Sequence, residues 1–216
     1  DPQRTADTIV ELCRTRLPEK MGIPAEQIQV LSPTRKGSVG TTNLNRALQA
    51  AVNPPAPEKR EKAFGTTIFR EGDRVMQVRN NYDLMWKDRD SLTSGMGVFN
   101  GDIGQILEVD NRNELITVDF EGRIVEYSPD MLGELEPAYA VTVHKAQGSE
   151  YRAVILAVSK ATPLLLTRGV LYTAITRARE LLVLVGDEEA VAQMTANNRQ
   201  QRRYSGLRWR LAQNNG

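Results

Sequence analysis

The stretch TVHKAQGSEYRAVILAV, residues 142–158, decides the fold. It is a polar, glycine-containing loop between two apolar runs, 140–143 and 154–158, that have the length and β-branched content of buried strands. Loops at strand ends are where α/β sheets bind ligands. Gly148 lets a backbone N–H approach a phosphate closely, and Glu150 can accept a hydrogen bond from a ribose hydroxyl. The stretch therefore predicts an α/β sheet with a ligand-binding loop.

Three side chains of that loop, Thr142, His144 and Lys145, can donate hydrogen bonds to the backbone of a nucleic acid. A single histidine, taken alone, is more often a structural or surface residue than a ligand contact. It is the spacing of the whole string that favours a binding site.

A second informative string, LYTAITRARELLVLVGD, spans residues 171–187. Its apolar positions predict a helix over 169–179 and then a buried strand over 181–185. Arg177 and Arg179 come near the carboxyl end of that helix. Either they bind the last helical carbonyls and meet solvent, or the string carries an arginine finger for the γ-phosphate of a nucleotide held mostly elsewhere.

The rest of the chain alternates between α/β and all-β character. The chain begins with a helix predicted over 5–17, which Pro18 and the Gly-Ile-Pro stretch 22–24 end, and continues with a strand over 28–32 and a helix over 41–52. An exposed Pro-rich connection over 53–60 follows. Short β runs separated by turn residues then predict a small antiparallel barrel or sandwich. These runs are 74–78, 103–109, 115–120 and 123–127, and a polar, mobile loop is predicted over 85–97.

After Pro137 the α/β character returns and ends with a helix over 188–196. We therefore expect an α/β fold in which a parallel-sheet domain is interrupted by a small β-barrel. The expected boundaries are 1–64 for the first part of the sheet domain, 65–136 for the barrel and 137–216 for the second part.

Composition and charge exclude some classes of protein without selecting one. The 216 residues are 40% hydrophobic and 25% charged, which is ordinary for a globular protein, and the net charge is only +1. A nucleic-acid-binding surface must therefore be local. No apolar run is long enough to cross a bilayer, the N-terminus has no signal pattern, and the lone Cys13 excludes an internal disulfide. We expect a cytoplasmic protein without a membrane partner.

Four strings together resemble the RecD type of superfamily 1 helicases. HKAQGSE (144–150) and LYTAITRARE (171–180) are similar to motifs V and VI, and LSPTRKGSVG (31–40) resembles the motif IVa loop. GDRVMQVRNNYDL (72–84) and GVFNGDIGQI (97–106) resemble the SH3-like barrel called domain 2B. The resemblance runs from about residue 28 to the C-terminus. It implies the RecA-like second motor domain, 2A, carrying 2B, from a 5′ to 3′ ATP-dependent DNA helicase of recombination and repair.

The resemblance also implies roles for single residues. Arg177 holds the position of the catalytic arginine finger. The other implied nucleotide contacts are Gln147, Gly148 and Glu150. The implied single-stranded DNA contacts are Thr34, Arg35, Lys36, Thr142, His144 and Lys145, with Asn81 and Tyr82 in the β part. Asn81 can equally shape a turn, and no metal ligand is implied in this chain.

The chain departs from the family pattern at the phosphate cradle. It contains no G-x-x-x-x-G-K-[ST] string, because the segment 37–42 has glycines but no lysine after the second one. We therefore expect ATP and Mg²⁺ to be bound mainly by an N-terminal RecA-like domain outside this chain, and the chain alone to be inactive. Expected partners are that domain, single-stranded DNA and, as a further candidate, an exonuclease complex.

Two other classes of function remain open at this point. One is a non-catalytic module in which the β part binds nucleic acid or protein. The other is an RNA helicase of the same superfamily, or the helicase part of a conjugative relaxase, since motifs V and VI alone barely separate these from a RecD-type enzyme.

Overall fold

The described residues form a four-stranded parallel sheet, a seven-stranded antiparallel sheet and a separate two-stranded hairpin, with helices on both faces of the parallel sheet. The computed structural model describes residues 2–160 and 163–198, so the end of the predicted second part of the sheet domain, 199–216, lies outside the described residues. The helices are α1 (Pro2–Glu11), α2 (Leu17–Met21), α3 (Thr41–Val52), α4 (Arg168–Ile175) and α5 (Glu188–Ala196). The strands are β1 (Ile28–Ser32), β2 (Glu61–Phe64), β3 (Thr67–Arg70), β4 (Arg74–Gln77), β5 (Asn81–Asp88), β6 (Ser94–Val98), β7 (Ile103–Asp110), β8 (Leu115–Phe120), β9 (Arg123–Tyr127), β10 (Leu135–Pro137), β11 (Ala140–Thr142), β12 (Tyr151–Val158) and β13 (Ala178–Gly186).

The parallel sheet has the strand order β11-β1-β12-β13. Its central strands β1 and β12 are almost entirely buried because apolar helices cover both faces. Along β12, Val154 and Leu156 pack with α4 and α5, whereas Ala153 and Ile155 pack with α1 and α3. The predicted strand over 28–32 and the helices over 41–52 and 188–196 are confirmed.

The N-terminal helix is longer than predicted and passes through Pro18. A π-helical turn, Leu12–Arg16, joins α1 to α2, and the Leu17 N–H bonds to the Leu12 carbonyl. A proline lacks an N–H and its ring clashes with the carbonyl four residues earlier in a regular α-helix. The wider turn lets Pro18 sit in the first turn of α2, so the helix ends only at Gly22, which has φ +61°.

The antiparallel sheet has seven strands in the order β10-β4-β7-β8-β9-β5-β6 and its own apolar core. Its strands lie in the chain between α3 and β11, although β1 and β11 are neighbours in the parallel sheet. The predicted mobile loop over 85–97 is wrong: it falls within the β5–β6 hairpin, in which Trp86 covers Gly95. A second hairpin, β2–β3, was not predicted.

The region around Arg177 also differs from the sequence prediction. Helix α4 ends at Ile175, so Arg177 lies in the following turn and Arg179 lies in β13. Within the predicted buried strand over 181–185 only Val185 is buried. β13 is less buried than predicted because it is an edge strand of the described sheet. It pairs with β12 on one side, and no strand among the described residues pairs with its other side.

A buried polar network joins the two sheets at Asp73. Its carboxylate accepts hydrogen bonds from Asn53 Nδ2 at 2.7 Å, Gln49 Nε2 at 2.5 Å, the Tyr139 hydroxyl at 2.8 Å and the Arg70 N–H at 2.7 Å. Burial raises the pKa of Asp73, and the four donors oppose that rise. The network ties the end of α3 to the start of the antiparallel sheet and to the segment before β11.

No helix in the described ranges is both long enough and apolar enough to cross a membrane.

Candidate functional site

Two basic side chains from separate strings meet at one carboxylate. Arg35 follows β1 and Lys145 follows β11, and both strands end at the carboxyl edge of the parallel sheet. Arg35 Nη2 lies 2.8 Å from Glu136 Oε1, and Lys145 Nζ lies 2.8 Å from Glu136 Oε2. All three side chains are partly exposed. We call this group the carboxyl-edge cluster.

The loop that carries Arg35 is shaped by its own hydrogen bonds. The Ser32 hydroxyl donates to the Val39 carbonyl at 2.7 Å, and the Thr34 hydroxyl accepts the Lys36 N–H at 3.3 Å. Gly40 then turns the chain into α3. Because these bonds fold the loop back on itself, Arg35 and Lys36 are held on its exposed side.

Strand β11 is held in place by α3. Asn45 donates from Nδ2 to the Ala140 carbonyl and accepts the Ala140 N–H at Oδ1, both at 2.8 Å. Beyond β11 the Thr142 hydroxyl accepts the Lys145 N–H at 3.4 Å, and His144 is exposed. The predicted residues Thr142, His144 and Lys145 therefore share one turn at the sheet edge.

Sequence reasoning missed Glu136, the centre of the carboxyl-edge cluster. Burial raises the pKa of this carboxyl, but the hydrogen bonds from Lys145 and Arg35 outweigh that effect and hold the pKa below its ordinary value. No motif contains Glu136, and its role depends on a contact with Arg35, 101 residues away in the chain. A local pattern carries no signal for such a contact.

A second group forms where β12 and β13 begin. Arg177 Nη1 donates to the Ser149 carbonyl at 2.9 Å, and Nη2 donates to the Thr176 hydroxyl at 3.2 Å. Arg177 Nε is buried and has no hydrogen-bond partner. Buried N–H groups are rarely left unpaired, which makes Arg177 the candidate of this group for contact with an anion, once its side chain moves to expose the N–H.

The loop beside Arg177 is open on its outer side. Gly148 has φ +92°, and a Cβ at that position would meet nothing within 4 Å. Gln147 is exposed, and Glu150 lies 3.7 Å from Arg179 in an exposed ion pair. A guanidinium with an unpaired N–H next to an open glycine fits a phosphate group. No cluster of His, Cys, Asp or Glu within 2–160 and 163–198 has the makeup of a metal site.

The predicted residues thus fall into two groups at opposite edges of the parallel sheet. Arg35 and Lys36 follow β1 and Thr142 ends β11, whereas Gly148 and Glu150 precede β12 and Arg177 precedes β13. Five residues of a strand span about 16 Å, which sets the scale of the separation. Within the parallel-sheet part, the residues that the sequence proposes for DNA therefore lie at the carboxyl edge, and those that it proposes for the nucleotide lie at the opposite edge. The loop 143–150 starts at the carboxyl edge, where β11 ends, and crosses to the opposite edge, where β12 begins.

Asn81 and Tyr82 belong to the antiparallel sheet. Asn81 is the first residue of β5; its Nδ2 donates to Glu134 Oε2 at 3.1 Å, and its Oδ1 accepts the Asp83 N–H at 3.1 Å, so both polar atoms of its side chain already have partners. Tyr82 is 66% exposed and meets Phe99 edge to face with ring centres 5.6 Å apart. Of the two, Tyr82 is free to contact a ligand.

Comparison with known proteins gives two family matches. Residues 44–120 match the ATP-dependent RecD-like DNA helicase SH3 domain, and residues 137–185 match the UvrD-like helicase C-terminal domain. The second match includes the whole of the motif V and motif VI strings.

Similar proteins are found among curated sequences and solved structures. The chain is 37% identical over 175 residues to the ATP-dependent RecD2 DNA helicase of Deinococcus radiodurans. The aligned region covers 81% of this chain and 22% of that protein. It is 31% identical over 186 residues to the RecBCD enzyme subunit RecD of Mycobacterium tuberculosis, covering 86% and 29%. The chain thus spans less than a third of these relatives.

The solved structure of a Pif1 helicase from Bacteroides, in complex with ADP-AlF3 and single-stranded DNA, has the same fold. The TM-score is 0.52 at 20% identity, and the match covers 97% of this chain and 50% of that one. This similarity supports the RecA-like helicase fold of the parallel-sheet part. With the two family matches and the RecD relatives, it leads to one assignment: the chain belongs to the RecD-like family of superfamily 1 helicases.

Proposed function

We propose that this chain is part of the motor of an ATP-dependent DNA helicase and that it acts on ATP together with a second RecA-like domain. The observation that carries the proposal is Arg177, whose buried Nε has no partner beside the open Gly148 loop. The family assignment adds the chemistry, since its relatives include an ATP-dependent DNA helicase.

The domain division that we propose follows the order of the two sheets. The RecA-like domain comprises the residues up to about 60 and those from 137 on, and the residues between form an SH3-like barrel inserted into it. The first boundary is moved from 64 because a division there would cut the β2–β3 hairpin. The pairing of β1 with β11, on either side of the antiparallel strands, supports this division. Hydrogen bonds of Asp73 and Gln29 lie near the two points where the chain passes between the parallel and the antiparallel sheet. Gln29 Nε2, for example, donates to the Ala138 carbonyl at 3.2 Å.

On the nucleotide side, Arg177 is the arginine finger. It stabilises the charge that develops on the transferring phosphoryl group, an effect of roughly 10³- to 10⁵-fold in rate in nucleotide hydrolases. The Gly148 N–H approaches a phosphate, Glu150 accepts from a ribose hydroxyl, and Gln147 responds to the nucleotide state. The second domain holds Mg²⁺, which neutralises phosphate charge.

On the DNA side, the backbone of a single strand lies along the carboxyl edge. The proposed phosphate contacts are Thr34, Arg35, Lys36, Thr142, His144 and Lys145, and Tyr82 adds a stacking surface with Asn81 behind it. Such a grip does not depend on base sequence. Its affinity falls with salt, with a slope of about −0.7 per phosphate neutralised on a single strand.

The two groups lie at opposite edges of one sheet, and this arrangement supports a coupling mechanism. Closure of the cleft around ATP moves this domain as a rigid body, so the carboxyl edge moves relative to the DNA-binding surface of the other domain. Repeated closure and opening produce translocation, for which we propose 5′ to 3′ polarity.

Strand separation by the full-length protein tests the proposal. We expect ATP-dependent unwinding of a duplex with a 5′ single-stranded tail, little unwinding with a 3′ tail, and ATPase stimulation by DNA rather than RNA. Stimulation by RNA alone would favour an RNA helicase. If no nucleic acid stimulates hydrolysis, the non-catalytic module becomes the better account.

A further inference from the structure

The carboxyl-edge cluster contains an anion in the place where the proposed function puts a DNA phosphate. Glu136 bridges Arg35 and Lys145 through one oxygen each, both at 2.8 Å. A carboxylate and a phosphate present similar oxygen acceptors to a guanidinium or an ammonium group. The side chains of Arg35, Glu136 and Lys145 are 58%, 37% and 27% exposed, so an incoming phosphate can reach them from solvent.

The bridge is built from three separate parts of the fold. Glu136 lies in β10, which pairs with β4 of the antiparallel sheet, whereas Arg35 and Lys145 follow strands of the parallel sheet. Thr41, Asn45 and Thr142 line the same small depression. The carboxylate therefore holds the two cations together before any ligand arrives.

We propose that Glu136 is a phosphate mimic that occupies the DNA-backbone position between Arg35 and Lys145 and limits how tightly the motor grips the strand. This inference rests on the proposed function, because it presumes that the cluster contacts DNA. Binding replaces the carboxylate by a phosphate, and the displaced negative charge stays nearby. The grip is thereby weakened, which lets a translocating domain release the strand in each cycle.

The test is the affinity of the full-length protein for a fluorescent oligo-dT strand, measured at several salt concentrations. Glu136→Gln removes the competing charge and keeps the size of the side chain. We expect affinity at low salt to rise about three- to ten-fold, since exposed ion pairs of this kind are individually weak. The plot of log affinity against log salt becomes steeper by about 0.7, the value for one more phosphate neutralised.

Three further variants define what each outcome means. Glu11→Gln is the matched control. Glu11 also pairs with an arginine, since its Oε1 lies 2.8 Å from Arg16 Nε, and the substitution removes one negative charge, as Glu136→Gln does. The affinity of Glu11→Gln should stay near that of the unmodified protein. Lys145→Ala and Arg35→Ala should each weaken binding, and in either background the gain from Glu136→Gln should shrink.

An unchanged or reduced affinity for Glu136→Gln, while Lys145→Ala still weakens binding, overturns the inference and leaves the proposed function standing. If neither Arg35→Ala nor Lys145→Ala affects binding, the proposed DNA surface is itself wrong, and the inference falls with it. Should Glu136→Gln fail to fold, Glu136→Asp replaces it. Its shorter carboxylate cannot reach both cations, so a smaller gain in the same direction is expected, and no gain overturns the inference.

Discussion

At the scale of single residues, Gly40 is fixed by space rather than by its backbone angles. It has an extended conformation with φ −75°, which any residue can adopt. A Cβ at this position, however, would lie 2.6 Å from the Arg35 carbonyl oxygen and also collide with the Lys36 carbonyl. Both of these acceptors are backbone atoms that cannot rotate away. The loop that holds Arg35 and Lys36 therefore requires a glycine here.

Gly40→Ala should lower the free energy of unfolding by about 1–3 kcal/mol, because the loop must shift to admit the methyl group. Urea unfolding followed by circular dichroism measures the effect. Gly169→Ala is the control, since its nearest neighbour would be the Thr167 hydroxyl at 3.9 Å. Gly169→Ala, in helix α4, should unfold at the same or a higher urea concentration than the unmodified protein. If Gly40→Ala also shows no loss, the close packing at Gly40 is not real.

Single residues also show what a sequence can reveal about a site. Arg177 and Lys145 stand in strings whose spacing indicates a function, so they can be proposed from sequence. Glu136 cannot, because its partner Arg35 is distant in the chain and is brought near only when β1 and β11 pair. The sequence likewise does not reveal that Gly148 and Arg35 lie at opposite edges of the sheet, because that depends on the path of the loop between β11 and β12.

At the scale of elements, β11 is a three-residue edge strand supported by a side chain. It pairs with β1 on one side only, and Asn45 of α3 makes two hydrogen bonds to the backbone of Ala140. The amide of Asn45 thus takes the place of a neighbouring strand for one residue. This contact fixes β11, and with it the turn that carries His144 and Lys145, against α3.

Asn45→Ala should destabilise the protein by about 1–3 kcal/mol, because it leaves an N–H and a carbonyl of β11 without partners. It should also weaken DNA binding, since Lys145 loses its fixed position. Chemical denaturation and oligo-dT affinity measure the two effects. Asn113→Ala, in an exposed turn of the antiparallel sheet, is the control and should alter neither. Unaltered stability of Asn45→Ala would contradict the supporting role.

Elements differ in how well their sequences predict them. The apolar spacing of α3 and the short, mainly apolar run of β1 are typical of a helix and a buried strand, and the sequence predicts both with the observed ends. The hairpin β5–β6 is not predicted, because its exposed strands carry polar residues and glycines that are also typical of loops, and pairing with β9 orders β5. Pro18 was assigned as a helix end because a local rule takes no account of the π-helical turn that accommodates it.

At the scale of the whole molecule, the two sheets are joined by buried polar contacts rather than by a flexible linker. Asp73 alone accepts four hydrogen bonds from three segments of the chain. Breaking such a network leaves several buried donors unpaired, which is costly. The two sheets are therefore expected to move together as one body.

The chain of 216 residues on its own should not hydrolyse ATP, because it holds no P-loop and no metal site among its described residues. A phosphate-release assay with Mg²⁺ and oligo-dT measures this. The same sample should bind oligo-dT with a salt-dependent affinity, which shows that it is folded. Hydrolysis above background by the purified chain would mean that the catalytic site is not divided between two domains.

The most direct test of the central claim is the ATPase of the full-length protein with Arg177→Ala, compared with Arg179→Ala. Arg179 is an exposed neighbour whose nearest acidic partner, Glu150, is 3.7 Å away, so it controls for the loss of one arginine. We predict that Arg177→Ala lowers DNA-stimulated turnover by roughly 10³-fold or more, while the affinities for nucleotide and DNA stay near their original values. Arg179→Ala should keep most of the turnover. If Arg177→Ala retains its turnover, this chain does not supply the arginine finger.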